Sequence, residues 1–141
     1  GELELLDRRD ARDVPTPSAG TVLSTAAVTD LQTVPERVDT HPDVKQYIVD
    51  VVRGTRTDPR VDVGVSPRGS QRLFEVARAS AALDGRDFVT PDDVKSIAHP
   101  ALAHRLILTP DATVDDVTRA DVIADVLADV TVPRISGEVR A

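Results

Sequence analysis

The residues best placed to do chemistry are Arg68 and Gly69, which follow Ser66 and Pro67. Serine before proline marks a helix start, with Ser66 at the N-cap and Pro67 at the first helical position. Arg68 then falls in the first turn, beside unpaired backbone N–H groups and the positive end of the helix dipole. A cation there is unfavourable by roughly 0.3–1 kcal/mol, and a helix tuned only for stability would carry Asp or Glu in that turn. An anion reverses the sign, because a guanidinium and a helix N-terminus together attract a phosphate. Gly69 has no side chain and lets such a ligand approach the backbone. Two readings stand at this level: Arg68 pairs with a neighbouring Asp on a carboxylate-rich surface, or it belongs to an anion site.

Other chemistry is missing. No Gly-x-x-x-x-Gly-Lys-Ser/Thr loop occurs that could cradle a triphosphate, and no apolar strand ends in Asp-Glu to hold magnesium. Both lysines, Lys45 and Lys95, fall on expected helix surfaces. The three histidines, His41, His99 and His104, form no His-Glu-x-x-His pattern. His99 and His104 are five apart, on different faces of a helix, so no shared metal is expected, and all three read as surface or packing residues. The pairs Asp92-Asp93 and Asp115-Asp116 fall at expected helix starts and read as caps and dipole partners. There is no Cys, which excludes disulfides and thiol catalysis.

Composition narrows the class. The chain has 141 residues, enough for one domain with an attached arm. Hydrophobic residues make up 40% but aromatics only 2%, so the core must be built from Val, Leu, Ile and Ala. Net charge is −7, with 19 Asp against 5 Glu and 15 Arg against 2 Lys. A carboxylate-rich, lysine-poor surface stays hydrated in concentrated salt, where screening hides charge repulsion. This points to a halophilic organism, although a high-GC genome favours the same residues. The acidic balance argues against nucleic acid and anionic membranes as partners. No apolar run approaches a membrane span and no signal peptide opens the chain, so a cytoplasmic protein is expected. A start at Gly1 and the absence of Met suggest a piece cut from a longer protein.

The elements that must position Arg68 follow from periodicity. Residues 2–12 read as the tail of a helix, and residues 14–20, with Pro15, Pro17 and Gly20, as a linker. A modest helix is expected over residues 25–33, stopped by Pro35. After Pro42, the apolar residues Val44, Tyr47, Ile48, Val51 and Val52 recur at helical spacing, and Gly54 and Asp58-Pro59 end the run. The Ser66 helix runs through Leu73, Phe74, Val76, Ala77 and Ala81 to Leu83, with Asp84-Gly85 as its stop. Thr90-Pro91-Asp92-Asp93 starts another, with Val94, Ile97, Ala98, Ala101 and Leu102 on its stripe and a kink or break expected at Pro100. Thr118 caps a last helix bearing Val122, Ile123, Val126, Leu127 and Val130. The expected fold is all-α, a small bundle of four to five helices. A minor short β-ribbon would pair residues 87–89 with 105–108.

Gly64-Val65-Ser66-Pro67-Arg68-Gly69 resembles the sensor-2 motif of MoxR-family AAA+ ATPases, in which a Gly-x-Ser-Pro-Arg segment opens a lid helix. Val51-Val52-Arg53-Gly54-Thr55-Arg56, the run from Leu83-Asp84-Gly85-Arg86 to Thr90-Pro91-Asp92-Asp93-Val94, and His104-Arg105-Leu106 match in the same order. The resemblance implies the C-terminal lid of such an ATPase, from a halophilic archaeon. Residues 1–13 would be the tail of the upstream core helix, 14–24 a linker, 25–133 the helical lid and 134–141 a disordered tail. Arg68 would be the sensor-2 arginine of the parent enzyme, with Ser66, Pro67 and Gly69 close to the nucleotide. ATP and Mg2+ would be held by the absent core, and none tightly by this chain, which could not hydrolyse ATP alone. Implied partners are the chain's own AAA+ core, neighbouring subunits of a hexamer and von Willebrand factor A-domain proteins, in chaperone-like remodelling or metal-centre assembly. The competing reading is a freestanding helical adaptor that binds protein and never meets nucleotide. A helix-turn-helix DNA binder lacks the basic recognition helix it would need.

Overall fold

The computed structural model describes residues 1–11 and 19–134. Residues 12–18, which hold much of the expected linker, and 135–141, the expected tail, lie outside the described residues. The chain forms two compact units, Gly1–Leu31 and Gln32 onward.

In the first unit, α1 (Glu2–Asp10) carries Glu2 and Glu4 in its first turn and Arg8 and Arg9 in its last, matching the helix dipole at both ends. Arg8 bonds Glu4 one turn back at 2.7 Å. Its leucines Leu3, Leu5 and Leu6 are exposed. The second helix, α2 (Thr25–Thr33), starts where the Ser24 hydroxyl accepts the Ala27 N–H at 3.1 Å.

The second unit takes in the last residues of α2 and continues through a 3-10 turn (Val34–Arg37) to α3 (Pro42–Thr57). His41 caps α3 by accepting the Asp43 N–H on Nδ1 at 3.2 Å. The expected stripe is buried in full: Val44, Tyr47, Ile48, Val51 and Val52. Strand β1 (Val61–Val63) leads to α4 (Pro67–Leu83), which buries Gly69, Leu73, Ala77 and Ala81. Phe74 is half-buried, whereas Val76 and Leu83 are exposed. Gly85, at φ +73°, makes the left-handed turn that stops α4. Next come α5 (Pro91–Leu102), a 3-10 turn (Ala103–Arg105), β2 (Ile107–Leu108), α6 (Pro110–Val114) and α7 (Arg119–Asp129). The core lies between α3, α4, α5 and α7 and is almost wholly aliphatic. Small side chains allow the close packing: a Cβ on Gly54 would come 2.7 Å from Val126 Cγ1 of α7.

The fold is all-α with a small ribbon, but four expectations need correction. The described residues contain seven α-helices, not four to five. Of those not counted, α6 repeats the Thr-Pro-Asp start seen at Thr90: the Thr109 hydroxyl accepts the Ala112 N–H at 3.2 Å. The ribbon pairs β1 with β2, with Val61 opposite Leu108 and Val63 opposite Ile107. Residues 87–89 instead meet Asp39, which accepts the Val89 N–H at 2.9 Å and donates to the Asp87 carbonyl at 2.8 Å. Pro100 does not break α5, which runs on through it and ends two residues later at Leu102. Asp115 and Asp116 end α6 rather than start a helix, and Asp116 takes φ 57°, a left-handed conformation Asp tolerates. No helix among the described residues is long and apolar enough to cross a membrane.

The loop from α4 to α5 is closed by one ion pair. Arg86 grips both carboxylate oxygens of buried Asp93 and also bonds Asp84 at 3.0 Å and the Phe88 carbonyl at 3.1 Å. Asp93 in turn accepts the Thr90 N–H at 2.7 Å and the Thr90 hydroxyl at 2.8 Å, completing a capping box. Burial alone would raise the Asp93 carboxyl, but the Arg86 guanidinium and the two Thr90 donors outweigh it and hold it below the ordinary carboxylate value. Removing Asp93 takes away the Thr90 capping box and the Arg86 pair together, while Arg86 keeps Asp84 and the Phe88 carbonyl. Asp93→Ala is therefore expected to lower the unfolding free energy by about 1–2 kcal/mol, the range for loss of a helix cap, measured by urea denaturation. A depressed carboxyl contributes stability above its unfolded pKa and loses it as pH falls. The wild-type chain should lose this share between about pH 5 and pH 2, and Asp93→Asn should show a shallower acid slope.

Candidate functional site

The segment bearing Arg68 is held against the end of α3. Thr55 is fully buried; its hydroxyl donates to the Val52 carbonyl at 2.7 Å and accepts the Val65 N–H at 3.1 Å. Val65 is itself fully buried. Gly64 passes so close to α3 that a Cβ there would lie 2.7 Å from both the Arg56 Cα and the Thr55 carbonyl oxygen. No side chain fits that gap, so the residue two before Ser66 has to be glycine. From this crossing the chain extends through Ser66 (φ −69°, ψ 163°) and enters α4 at Pro67.

The start of α4 differs from the other helix starts. Thr90, Thr109 and Thr118 each accept an N–H of the first turn through the side chain, at 3.3, 3.2 and 3.1 Å. Ser66 makes no such bond, and the first turn of α4 holds no acidic residue. Ser66, Pro67 and Arg68 are exposed. The Arg68 N–H has no carbonyl behind it in the helix, as for every second helical residue. Its guanidinium pairs with no carboxylate among the described residues, whereas Arg60, Arg72, Arg78 and Arg86 all do. The Asp pairing left open for Arg68 is thus not formed there.

Gly69 faces inward instead. It is buried, its N–H bonds the Ser66 carbonyl at 2.7 Å, and a Cβ on it would lie 2.0 Å from Val65 Cγ1. Its bareness first serves packing beneath the loop. The structure thus groups Ser66, Pro67 and Arg68 on the surface and sets Gly69 under them. His99 and His104 are exposed and line a shallow depression with Ile107, Thr118 and Arg119, apart from His41 at the α3 cap. Among the described residues no group of three or more acidic or histidine side chains could hold a metal. Two positions with a structural role here, Thr55 and Gly64, carry no chemistry of their own. Thr55 was detectable: it falls three and four residues after Val52 and Val51, a polar residue continuing an apolar stripe.

The AAA lid domain family matches residues 53–126, just over half the chain and the part that contains this crossing. The chain belongs to that family, in the form found in MoxR-family AAA+ ATPases. It is 38% identical over 110 residues to the Bacillus subtilis protein YeaC, covering 78% of this chain and 34% of that protein. To the chaperone MoxR1 of Mycobacterium tuberculosis it is 34% identical over 129 residues, covering 85% and 34%. A crystal structure of a protein from Cytophaga hutchinsonii assigned as an ATPase superposes with TM-score 0.82 at 25% identity, over 94% of this chain and 43% of that one. The chain thus spans about a third of the length of the curated relatives it matches. The matched family is a lid domain, and no Walker motif occurs in this sequence.

The packing under the loop makes Gly69→Ala costly. It should destabilise the chain by about 1–3 kcal/mol through overpacking against Val65. Adding Val65→Ala should recover part of that loss, because the two positions share one contact. Thermal melts of the two single variants and the double variant check both expectations.

Proposed function

We propose that this chain is the nucleotide-sensing lid of a larger remodelling ATPase, and that Arg68 is the group that senses. The observation that supports the reading is an exposed guanidinium without a carboxylate partner among the described residues, on a chain with 24 acidic residues. It stands at a helix start that lacks both a side-chain cap and an acidic residue. A terminal phosphate would supply the missing negative charge. The residues fit a contributory role: one guanidinium and one helix end bind and orient a phosphate edge but do not enclose a nucleotide. Bound ATP with Mg2+ supplies the scissile anhydride, and a P-loop core upstream would hold it.

In this reading, Arg68 contacts the γ-phosphate as sensor 2, Ser66 and Pro67 shape the loop beside it, and Gly69 lets the loop sit close. Loss of that contact on hydrolysis frees α4, and the rigid bundle behind α4 carries the change to a neighbouring subunit. The helix Glu2–Asp10 continues the core's last helix, and residues 25–133 act as the lid. The parent works as a cytoplasmic, ring-forming chaperone, hexameric in the family pattern. It acts with von Willebrand factor A-domain partners rather than nucleic acid, and matures complexes or metal centres. The carboxylate surface with two lysines is read as an adaptation to concentrated salt in a halophilic archaeon.

Two measurements test this. In the full-length ATPase, Arg68→Ala should reduce turnover by on the order of a hundredfold while Arg68→Lys recovers only part, since an ammonium lacks the planar fork. Turnover at the wild-type level would remove Arg68 from the mechanism. The melting temperature of this chain should rise between about 0.1 M and about 2 M KCl, as salt screens like-charge repulsion; a fall would contradict the salt adaptation.

A further inference from the structure

We infer that Thr55 is the positioning residue of the Arg68 site: its hydroxyl sets the loop that presents the guanidinium. The inference rests on the reading of Arg68 given above. Thr55 is fully buried in the last turns of α3, and its hydroxyl is saturated in both directions, as donor to Val52 and acceptor from Val65. The Val65 N–H belongs to the Gly64–Val65 peptide, one link before Ser66-Pro67-Arg68, so a side chain 13 positions before Arg68 holds its approach path. Helix N-termini are usually fixed by their own cap. Ser66 provides no side-chain bond, so that job passes to Thr55.

Three other features make the anchor directional. Gly64 leaves the Arg56 Cα and Thr55 carbonyl in contact distance, so the loop cannot rise without opening a gap. Val65 is fully buried and Gly69 sits directly under it, so the loop cannot sink. The Thr55 bond adds a directional link between this loop and the end of α3. Without the hydroxyl, a buried N–H is left unsatisfied, which favours a shifted loop in which that N–H finds another acceptor. Arg68 moves with it. A misplacement of about 1 Å at a contacting group is enough to reduce turnover on the order of tenfold to a hundredfold.

The test uses Thr55→Val, which keeps the shape and removes the hydroxyl, and Thr55→Ser, which keeps the hydroxyl and loses a methyl group. In the full-length ATPase, Thr55→Val should lower kcat on the order of tenfold with KM little changed, and Thr55→Ser should restore most of it. Combining Thr55→Val with Arg68→Ala should give no further loss beyond Arg68→Ala, since one variant acts through the other. Ile123→Val, a core change remote in sequence, serves as a stability control and should leave kcat unchanged. In the 141-residue chain, hydrogen exchange at the Val65 amide should accelerate in Thr55→Val and not in Thr55→Ser. Should Thr55→Val not fold, Thr55→Ala removes the same hydroxyl without setting a methyl group against the Val65 amide. Wild-type kcat in Thr55→Val while Arg68→Ala is impaired would overturn the positioning role and leave the Arg68 reading intact. So would losses that add in full. Wild-type turnover in Arg68→Ala would overturn both.

Discussion

The loop that leads into α4 meets the end of α3 at a distance that only a glycine permits, and the start of α4 is set by that meeting. Gly64 crosses the end of α3 in contact with backbone atoms, and a single threonine hydroxyl satisfies the one amide the crossing would strand. A buried N–H without a partner is unfavourable by roughly 1–3 kcal/mol, a large share of the margin on which a small domain stays folded. Once the crossing is set, α4 has one starting point. Its alanines Ala77 and Ala81 then pack in the core with Ala98 and Leu102 of α5. The same economy of side chain recurs at Gly54, which admits Val126 of α7 against α3. A core with 2% aromatics cannot fill space with large rings, so it closes by bringing backbones together.

Loops between these helices are bracketed by arginines. Arg86 spans Asp84, Phe88 and Asp93 across the turn from α4 to α5. Arg60 grips Asp58 and reaches Asp125 of α7 at 2.7 Å, tying the end of α3 to the last helix. Arg78 lies over the Phe74 ring, donates to the Val38 carbonyl at 3.1 Å and pairs with Glu36 at 3.0 Å. Each contact uses several N–H groups of one planar fork, which a lysine could not copy. The strong preference for Arg over Lys thus has a structural use within the domain. Arg37, Arg56, Arg68 and Arg119 make no such bracket among the described residues, and Arg68 differs from the other three in opening a helix that has neither a side-chain cap bond nor an acidic residue in its first turn.

Much of this fold was legible in the order of residues. Apolar spacing located α3 through Val44, Tyr47, Ile48, Val51 and Val52, and proline-led caps located the starts of α4 and α5, because both signals arise within one or two helical turns. The partnering of strands was not legible. Of residues 105–108, expected to be extended, only Ile107 and Leu108 form a strand, Arg105 closing a 3-10 turn; that strand pairs with β1 across more than forty positions, while residues 87–89 join Asp39. Short extended pieces carry no address for their partner. Helix α6 was overlooked although its Thr109-Pro110 start repeats that of Thr90, since five residues are too few to show a period.

The candidate site divides in the same way. From sequence alone come the identity of the unusual cation, its place in the first turn of a helix and the lack of an acidic residue to offset it, all consequences of local chain geometry. Only the tertiary structure decided that Ser66 would leave its hydroxyl out of the cap and that Gly69 would turn inward beneath Val65. It also decided that a threonine in the preceding helix would hold the loop. Those outcomes depend on which atoms from distant segments arrive at the same point: helical spacing marks Thr55 as continuing the apolar stripe of α3, but nothing in that spacing says which amide its hydroxyl meets.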